Sequence, residues 1–294
     1  LVLDPIGEAI MADNQLVEAL DCLVKVQDIC KDMPAFKTLG LDARRFHMAG
    51  ASVVQELGLT VSLFVAYLDQ LTTVGWSASE LVTRAIIVLS SGTAYLTELA
   101  KFRALRVLLA RITYAYGVPT KYSQISLHAQ TSLLTHARKL PHTNTLRATS
   151  GAMSAVLGGC DSITVLPHDA RLTNSSEQAE RMAANVSQLL KSESQLDKVA
   201  DPAAGAYWIE QMTAVLVEEA WAYFLNVERE GGIMAYASGG KLKAELGESW
   251  RSLQAAYQNE RILVGVNRFG ADETSTYAIT ENELPNWRNI PDTL

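Results

Sequence analysis

Short apolar segments recur along the first part of the chain at intervals that suit a parallel β-sheet. Four such segments, each bounded by polar or turn-forming residues, lie at 36–42 (FKTLGLD), 85–90 (AIIVLS), 124–130 (QISLHAQ) and 161–166 (DSITVL). Roughly forty residues separate one segment from the next, which leaves room for the crossover helix that parallel strands require. This spacing constrains the fold more than any other feature, and it predicts four consecutive βα units.

Helical periodicity occupies the intervals. Apolar residues at three- and four-residue steps indicate one helix after the first segment and another after the second. They are Val54, Leu57, Val61, Phe64 and Leu68 in the first helix and Leu105, Leu108, Leu109 and Ile112 in the second. Units of this kind build open sheets or a (β/α)8 barrel of the TIM type, and four of them make half of such a barrel.

Beyond residue 170 the pattern becomes helical only. One apolar stripe includes Met182 and Leu190, and a second runs from Ile209 to Val227 after a Pro- and Gly-containing turn at 200–208. The last residues lack periodicity. We therefore predict a half-barrel over 1–175, a helical segment over 176–269 and a linker or tail over 270–294.

Composition narrows the class of protein and of partner. The chain has 294 residues, 48% of them hydrophobic, which is enough for a large core. Its net charge of −7 argues against nucleic acid as a partner. Charges interrupt each apolar run, so no membrane span is expected. The three cysteines form no Cys-x-x-Cys pair, which favours a reducing compartment and a cytoplasmic location.

Polar residues in two strands are candidates for ligand binding. Alternation along the third strand places His128 and Gln130 together on one face, near its C-terminal end, where parallel barrels bind ligands. A substrate clamp and a hydrogen-bonded core pair explain them equally well. Arg84, at the start of the second strand, could contact an anionic substrate, or could be solvated or salt-bridged. His128, His136 and His142 match no common metal-ligand spacing, so no metal site is predicted.

Five longer motifs carry a resemblance to a known family. They are ELAKFRALRVLLARI (98–112), LHAQTS (127–132), GAMSAVLGGCDSITVLPHD (151–169), KVADPAAGAYWIEQMT (198–213) and ILVGVNRF (262–269). In this order they resemble the adenosylcobalamin-dependent acyl-CoA mutases. SITVLPHD and LDKVADPAAGAYWIE are similar to the versions found in small, or beta, subunits of methylmalonyl-CoA mutase.

The resemblance implies a (β/α)8 barrel that threads a CoA ester along its axis, followed by a helical linker and a cobalamin-binding domain. It implies that a radical from the cofactor interconverts methylmalonyl-CoA and succinyl-CoA, while the protein orients the substrate. We expect this chain to hold only the C-terminal half of the barrel, without a cobalamin domain after residue 269. We expect this chain to be a fragment, or to complete its sheet by association.

The residues that match the family's active site are altered. Catalytic subunits carry Tyr-His-Met-Gln-Glu-Ala-Gly where this chain has RRFHMAG at 44–50. An ungapped alignment puts Arg45 at the catalytic histidine, whereas aligning His47 with it requires deleting the Gln-Glu pair. We interpret His47 as a remnant or a structural residue, and we assign no catalytic residue.

Other family positions give a mixed result. Arg84, His128 and Gln130 match substrate- or CoA-contacting residues and are the predicted substrate-binding set. Ile86 replaces a serine that contacts substrate, and Asp161 replaces a glutamine that meets CoA, which adds a negative charge near a polyanionic ligand.

The family's lower-ligand motif for cobalamin, Asp-x-His-x-x-Gly, is also incomplete, because Arg45 stands where the aspartate should be. We therefore expect adenosylcobalamin to be bound by a partner chain and not by this one. The favoured hypothesis is a non-catalytic, structural small subunit in a heterodimer with a larger catalytic mutase chain. The alternative is a competent acyl-CoA mutase with an atypical pocket that works with a separate cobalamin-binding subunit.

Overall fold

A computed structural model describes residues 3–12, 16–33, 36–122, 124–172 and 175–269. It confirms the α/β class, with one parallel sheet among many helices. The strands are β1 (Leu39–Asp42), β2 (Ala85–Ser91), β3 (Ser126–Thr131) and β4 (Ser162–Thr164). The helices are α1 (Pro5–Ala12), α2 (Leu16–Ile29), α3 (Arg44–Met48), α4 (Val53–Thr73), α5 (Ala78–Arg84), α6 (Tyr95–Ala115), α7 (Thr143–Leu157), α8 (Glu177–Ser192), α9 (Tyr207–Arg229), α10 (Gly232–Ser238) and α11 (Lys241–Asn259).

The four strands pair in the order in which they occur along the chain, β1-β2-β3-β4, and every pair is parallel. Helices connect each strand to the next. Because crossovers between parallel strands are right-handed, sequential strand order places all the connecting helices on one face of the sheet. This order is compatible with part of a (β/α)8 barrel, and it lacks the reversal of strand order that defines a doubly wound sheet.

The two faces of the sheet consequently differ in chemistry. One face is apolar, and its side chains, such as Leu41, Ile87 and Leu127, are fully buried in the main core. The opposite face, here called the inner face, carries mostly polar side chains. In register across the strands it presents Asp42, Val88, Ser90, His128, Gln130, Ser162 and Thr164. The alternation predicted for β3 is therefore confirmed.

Helix α9 adds a third layer outside α4 and α6. The predicted apolar stripe on α9 is confirmed, because Ile209, Leu216, Phe224 and Val227 are buried. At Gly58 of α4 the two helices approach so closely that a Cβ atom would lie 2.6 Å from the Tyr223 ring and 3.1 Å from a carbonyl of α9. The helical segment thus shares one core with the sheet domain.

Several boundaries differ from the sequence-based expectation. Strand β1 begins at Leu39 instead of 36, and β4 is shorter than its apolar segment. Helix α7 lies in the interval where the spacing requires a crossover helix, but no apolar stripe marked it, because it packs through small residues, Ala148, Ala152 and Ala155. The predicted tail over 270–294 lies outside the described residues.

Candidate functional site

A cavity of about 840 Å³ lies at the C-terminal ends of the strands. Its walls come from the segments that follow β1, β2 and β3, and helix α11 closes it from the opposite side. The contact between α11 and the loop after α3 is close, since a Cβ atom at Gly50 would lie 2.9 Å from the Trp250 Cα. Gly50 also has a φ of +90°, which favours glycine. The cavity lies at the strand ends where α/β folds bind ligands.

A buried ionic network lies behind this cavity and reaches it through Glu98. Lys101 of α6 is fully buried, and its Nζ lies 2.9 Å from Glu56 Oε2 and 2.6 Å from Glu98 Oε2. It also donates to the Ser90 carbonyl at the end of β2, at 2.8 Å. The network therefore joins α4, α6 and β2 behind the cavity.

The charges of the network stabilise one another. Burial acts to raise the pKa of the Glu56 carboxyl, but Lys101 and His47 together hold that pKa below its usual range. Burial acts to lower the pKa of Lys101, and the two glutamates outweigh it, so that pKa is raised. Both groups are therefore charged at neutral pH. Among the described residues, no hydrogen-bond donor reaches Glu56 Oε1.

His47 lies on α3, just after β1, and lines the cavity. Its Nε2 is 2.7 Å from the Ser132 hydroxyl, and its Nδ1 is 3.6 Å from Glu56 Oε2. Both ring nitrogens thus face protein groups, and the side chain is only 15% exposed. Arg45, the other residue that aligns with the family's histidine, is absent from the cavity lining and pairs with Glu8 at 3.1 Å.

His128 and Gln130 lie together on the inner face, as expected, but both have internal partners. His128 Nδ1 is 2.7 Å from the Ser162 hydroxyl, and its Nε2 is 3.0 Å from the Thr164 hydroxyl. Burial, and then the nearby charge of Arg44, lowers the pKa of His128, so its ring is neutral at pH 7. Gln130 Oε1 accepts a hydrogen bond from the Arg44 guanidinium.

The structure does not bring Arg84 to these two residues. It precedes β2, at the opposite end of the sheet, and its side chain is buried. Its guanidinium donates to the Cys30 and Lys31 carbonyls at 2.9 and 2.8 Å, so it caps the C-terminal end of α2. The sequence did not indicate this capping contact, and the assignment of Arg84 to substrate binding stays a prediction.

Asp161 has a structural role that the sequence did not reveal. Its Oδ2 accepts from Arg106 at 2.8 Å and from the backbone N–H of Leu127 at 2.7 Å. Arg106 also donates to the Ile125 carbonyl at 2.7 Å, so the pair joins the starts of β3 and β4. Because Arg106 offsets the charge of Asp161, its repulsion of an anionic ligand is weaker than the sequence implied.

Sequence reasoning missed Glu56, Glu98 and Lys101 as a charged set. The available signal was their position on helix faces that are otherwise apolar. Glu56 lies next to Leu57 in the stripe of α4, and Lys101 is flanked by Ala100 and Phe102 on α6, where both of these neighbours are fully buried. A charge within such a face must find a partner when it is buried.

Comparisons with known proteins point to one family. A family model described as methylmalonyl-CoA mutase matches residues 4–289. The chain is 36% identical over 269 residues to a methylmalonyl-CoA mutase small subunit of Porphyromonas gingivalis, covering 90% of this chain and 44% of that one. It is 32% identical over 269 residues to a small subunit of Streptomyces virginiae, with 90% and 43% covered. A methylmalonyl-CoA mutase of Cereibacter sphaeroides is 33% identical over 242 residues, with 81% and 34% covered.

Two further findings concern the length of the relatives and the membrane. The chain spans less than half of the length of each of these relatives. Within the described ranges, none of the helices has the length and apolar character needed to cross a membrane.

Proposed function

The chain belongs to the methylmalonyl-CoA mutase family, and from this premise we propose that it is the non-catalytic part of a small subunit that stabilises a larger catalytic mutase chain. Two of these relatives are named as small subunits, which implies a larger partner. The proposal includes a heterodimer, adenosylcobalamin bound by the larger chain, and a cytoplasmic location. In this assembly methylmalonyl-CoA and succinyl-CoA are interconverted in the partner.

The state of His47 carries this proposal. A general acid or base must come within hydrogen-bond reach of the reacting group of the substrate, directly or through one water. Here one ring nitrogen is 2.7 Å from Ser132, and the other faces the carboxylate of Glu56. Arg45 offers no substitute, because it pairs with Glu8 away from the cavity. These contacts support a structural role for the altered motif.

The residues present do not fit the lower ligand of cobalamin. An imidazole ligand needs one nitrogen free for the metal and a carboxylate or carbonyl on the other. The Nε2 atom of His47 contacts the Ser132 hydroxyl, and Gly50, three residues later, is packed against Trp250. This misfit supports a cofactor held by the partner chain.

A second candidate function has one observation in its favour. The cavity of about 840 Å³ is large enough for a small-molecule ligand, and a buried network with opposite charges borders it. Charged networks beside clefts are typical of functional sites, although structural ion pairs share this feature. The alternative is thus a competent acyl-CoA mutase with an atypical pocket that acts with a separate cobalamin-binding subunit.

Turnover of the assembled enzyme separates the two candidates. The full-length natural chain is isolated from its cells, and the proteins that co-purify are identified by mass and peptide sequence. We expect a stoichiometric larger chain that carries the Tyr-His-Met-Gln-Glu motif. In that complex His47→Ala and His128→Ala should lower kcat by less than about twofold, whereas removing an acid or base typically costs about 100-fold or more.

The matched control is the same substitution at the motif histidine of the larger chain, which should abolish turnover. A loss of about 100-fold or more from His47→Ala, in a complex that assembles normally, would favour the competent enzyme instead. Isolation with only a small cobalamin-binding protein would favour it as well.

A further inference from the structure

The inner face of the sheet is crossed by one side chain. Arg44 follows β1, and its guanidinium contacts both carboxylate oxygens of Asp42, with Nε at 2.7 Å from Oδ1 and Nη2 at 2.8 Å from Oδ2. Its Nη1 donates to Gln130 on β3. We call this set, Asp42, Arg44 and Gln130, the Arg44 bridge.

The bridge spans the strand that lies between its ends. Strand β2 separates β1 from β3, so the side chain reaches across two strand spacings, about 10 Å in total. In register, Ser90 of β2 is opposite Gln130, and it is almost fully buried. Arg44 itself is 17% exposed. The guanidinium therefore lies over the sheet surface and does not extend into solvent.

The contacts of the bridge are of the strong, oriented kind. A guanidinium that meets a carboxylate through two parallel bonds is fixed in plane as well as in position, which a lysine could not achieve. The charge of Arg44 also acts on His128, the other polar group of this face. The bridge thus occupies Gln130 and places a cation next to His128.

We propose that the Arg44 bridge excludes an acyl thioester from the inner face, which makes Arg44 a specificity-determining residue of this chain. The inference rests on the proposed function, since that function makes a CoA ester the relevant ligand. The carbonyl oxygen of Gln130 could accept hydrogen bonds from the amide N–H groups of the pantetheine arm that carries the thioester, but it is already engaged by Arg44. The hydroxyls of Ser162 and Thr164 engage His128 in the same way.

The test measures binding of methylmalonyl-CoA to the isolated full-length chain by calorimetry. Arg44→Met keeps the aliphatic stem and removes the donors, and it should tighten binding by at least about tenfold relative to the wild type. The direction of the change in affinity distinguishes the bridge from general charge attraction. Loss of a cation should weaken the binding of a polyanionic CoA ester if general attraction were the only effect.

Arg45→Met is the matched control, because Arg45 is adjacent and pairs with Glu8 at 3.1 Å, while it approaches Asp42 Oδ2 only to 3.8 Å. It should leave affinity unchanged or weaken it. The double variant Arg44→Met/Gln130→Leu should lose the gain, because the freed amide is then absent. If Arg44→Met does not fold, Asp42→Asn/Arg44→Met replaces it in the binding measurement. This double variant removes the buried charge of Asp42 together with the cation that pairs with it.

Two results would overturn the inference. One is a folded Arg44→Met or Asp42→Asn/Arg44→Met chain that binds no more tightly than the wild type. The other is an equal gain from Arg45→Met. Neither result bears on the proposed function, which is tested by co-purification and by turnover of the assembled complex.

Discussion

Replacing Lys101 with methionine removes the cation that Glu56 and Glu98 share. The two contacts, at 2.9 and 2.6 Å, each correspond to about 6 kcal/mol of gross attraction at an effective dielectric constant of about 20. Desolvation of the ammonium offsets much of this attraction. Removing one partner of a buried pair leaves an uncompensated charge, so we expect the free energy of unfolding to fall by about 3–5 kcal/mol at pH 7.

The same variant should reverse the pH dependence contributed by Glu56. In the wild type the pKa of Glu56 is lowered in the folded state, so its stabilising contribution is present above pH 4.5 and is lost as the pH falls through the folded pKa. Without Lys101, burial is the dominant influence and raises the folded pKa. Protonation then relieves the penalty, and stability should increase as the pH falls from 7 towards 4.5.

Urea denaturation at several pH values, followed by far-UV circular dichroism, measures both effects. Glu56→Gln/Lys101→Met serves as the control, because it removes the pair together and should recover part of the loss. A cost below about 1 kcal/mol for Lys101→Met, or an unchanged slope against pH, would refute the idea that these buried charges depend on each other.

Three further predictions follow from other sites. Gly158→Ala should lower the free energy of unfolding by about 1–3 kcal/mol in thermal melts, because its Cβ would lie 2.8 Å from the Leu99 carbonyl oxygen. Gly247→Ala on α11 is the control, because the space around Gly247 is open, and it should be neutral or stabilising by up to about 1 kcal/mol. The pKa of His136 is lowered from 6.5 to about 4, chiefly by burial. Its contribution to the free energy of unfolding is therefore fully present above pH 6.5, and up to about 3 kcal/mol should be lost as the pH falls from 6.5 to 4. His136→Phe should flatten this part of the plot of stability against pH, and an unchanged plot would contradict the assignment. Arg84→Met should speed hydrogen exchange in the last turn of α2 and leave exchange elsewhere unchanged. Equal protection of this turn in the variant and the wild type would show that the cap is not needed.

The sheet could be predicted from the sequence because parallel strands leave a strong local pattern. The segment at 85–90 is almost continuously apolar, which indicates a strand that is buried on both faces. Polar and apolar residues alternate along β3, which indicates one buried face and one polar face. Helix α7 left no such pattern, since small residues allow close packing without a stripe of large apolar ones. Spacing indicates periodicity but not how near two helices can approach.

The candidate site could be predicted only in part. The motif that contains His47, and the shared face of His128 and Gln130, follow from order and alternation along the chain. Their partners do not, because Ser132 is 85 positions from His47 and Gln130 is 86 from Arg44. Such contacts depend on the register of neighbouring strands. The capping contact of Arg84 was missed for the same reason, since the Cys30 and Lys31 carbonyls lie 54 and 53 positions earlier.

The third layer formed by α9 has a consequence for the order in which the chain folds. Strands that are neighbours in sequence can pair one βα unit at a time, each closing a moderate loop. Helix α9 packs on α4 and α6, which lie more than a hundred residues earlier, so it must wait until both are in place. Until it docks, the outer apolar faces of α4 and α6 are open to water. We expect the α9 contacts to form late, and substitutions such as Phe224→Ala to speed unfolding while leaving the folding rate nearly unchanged.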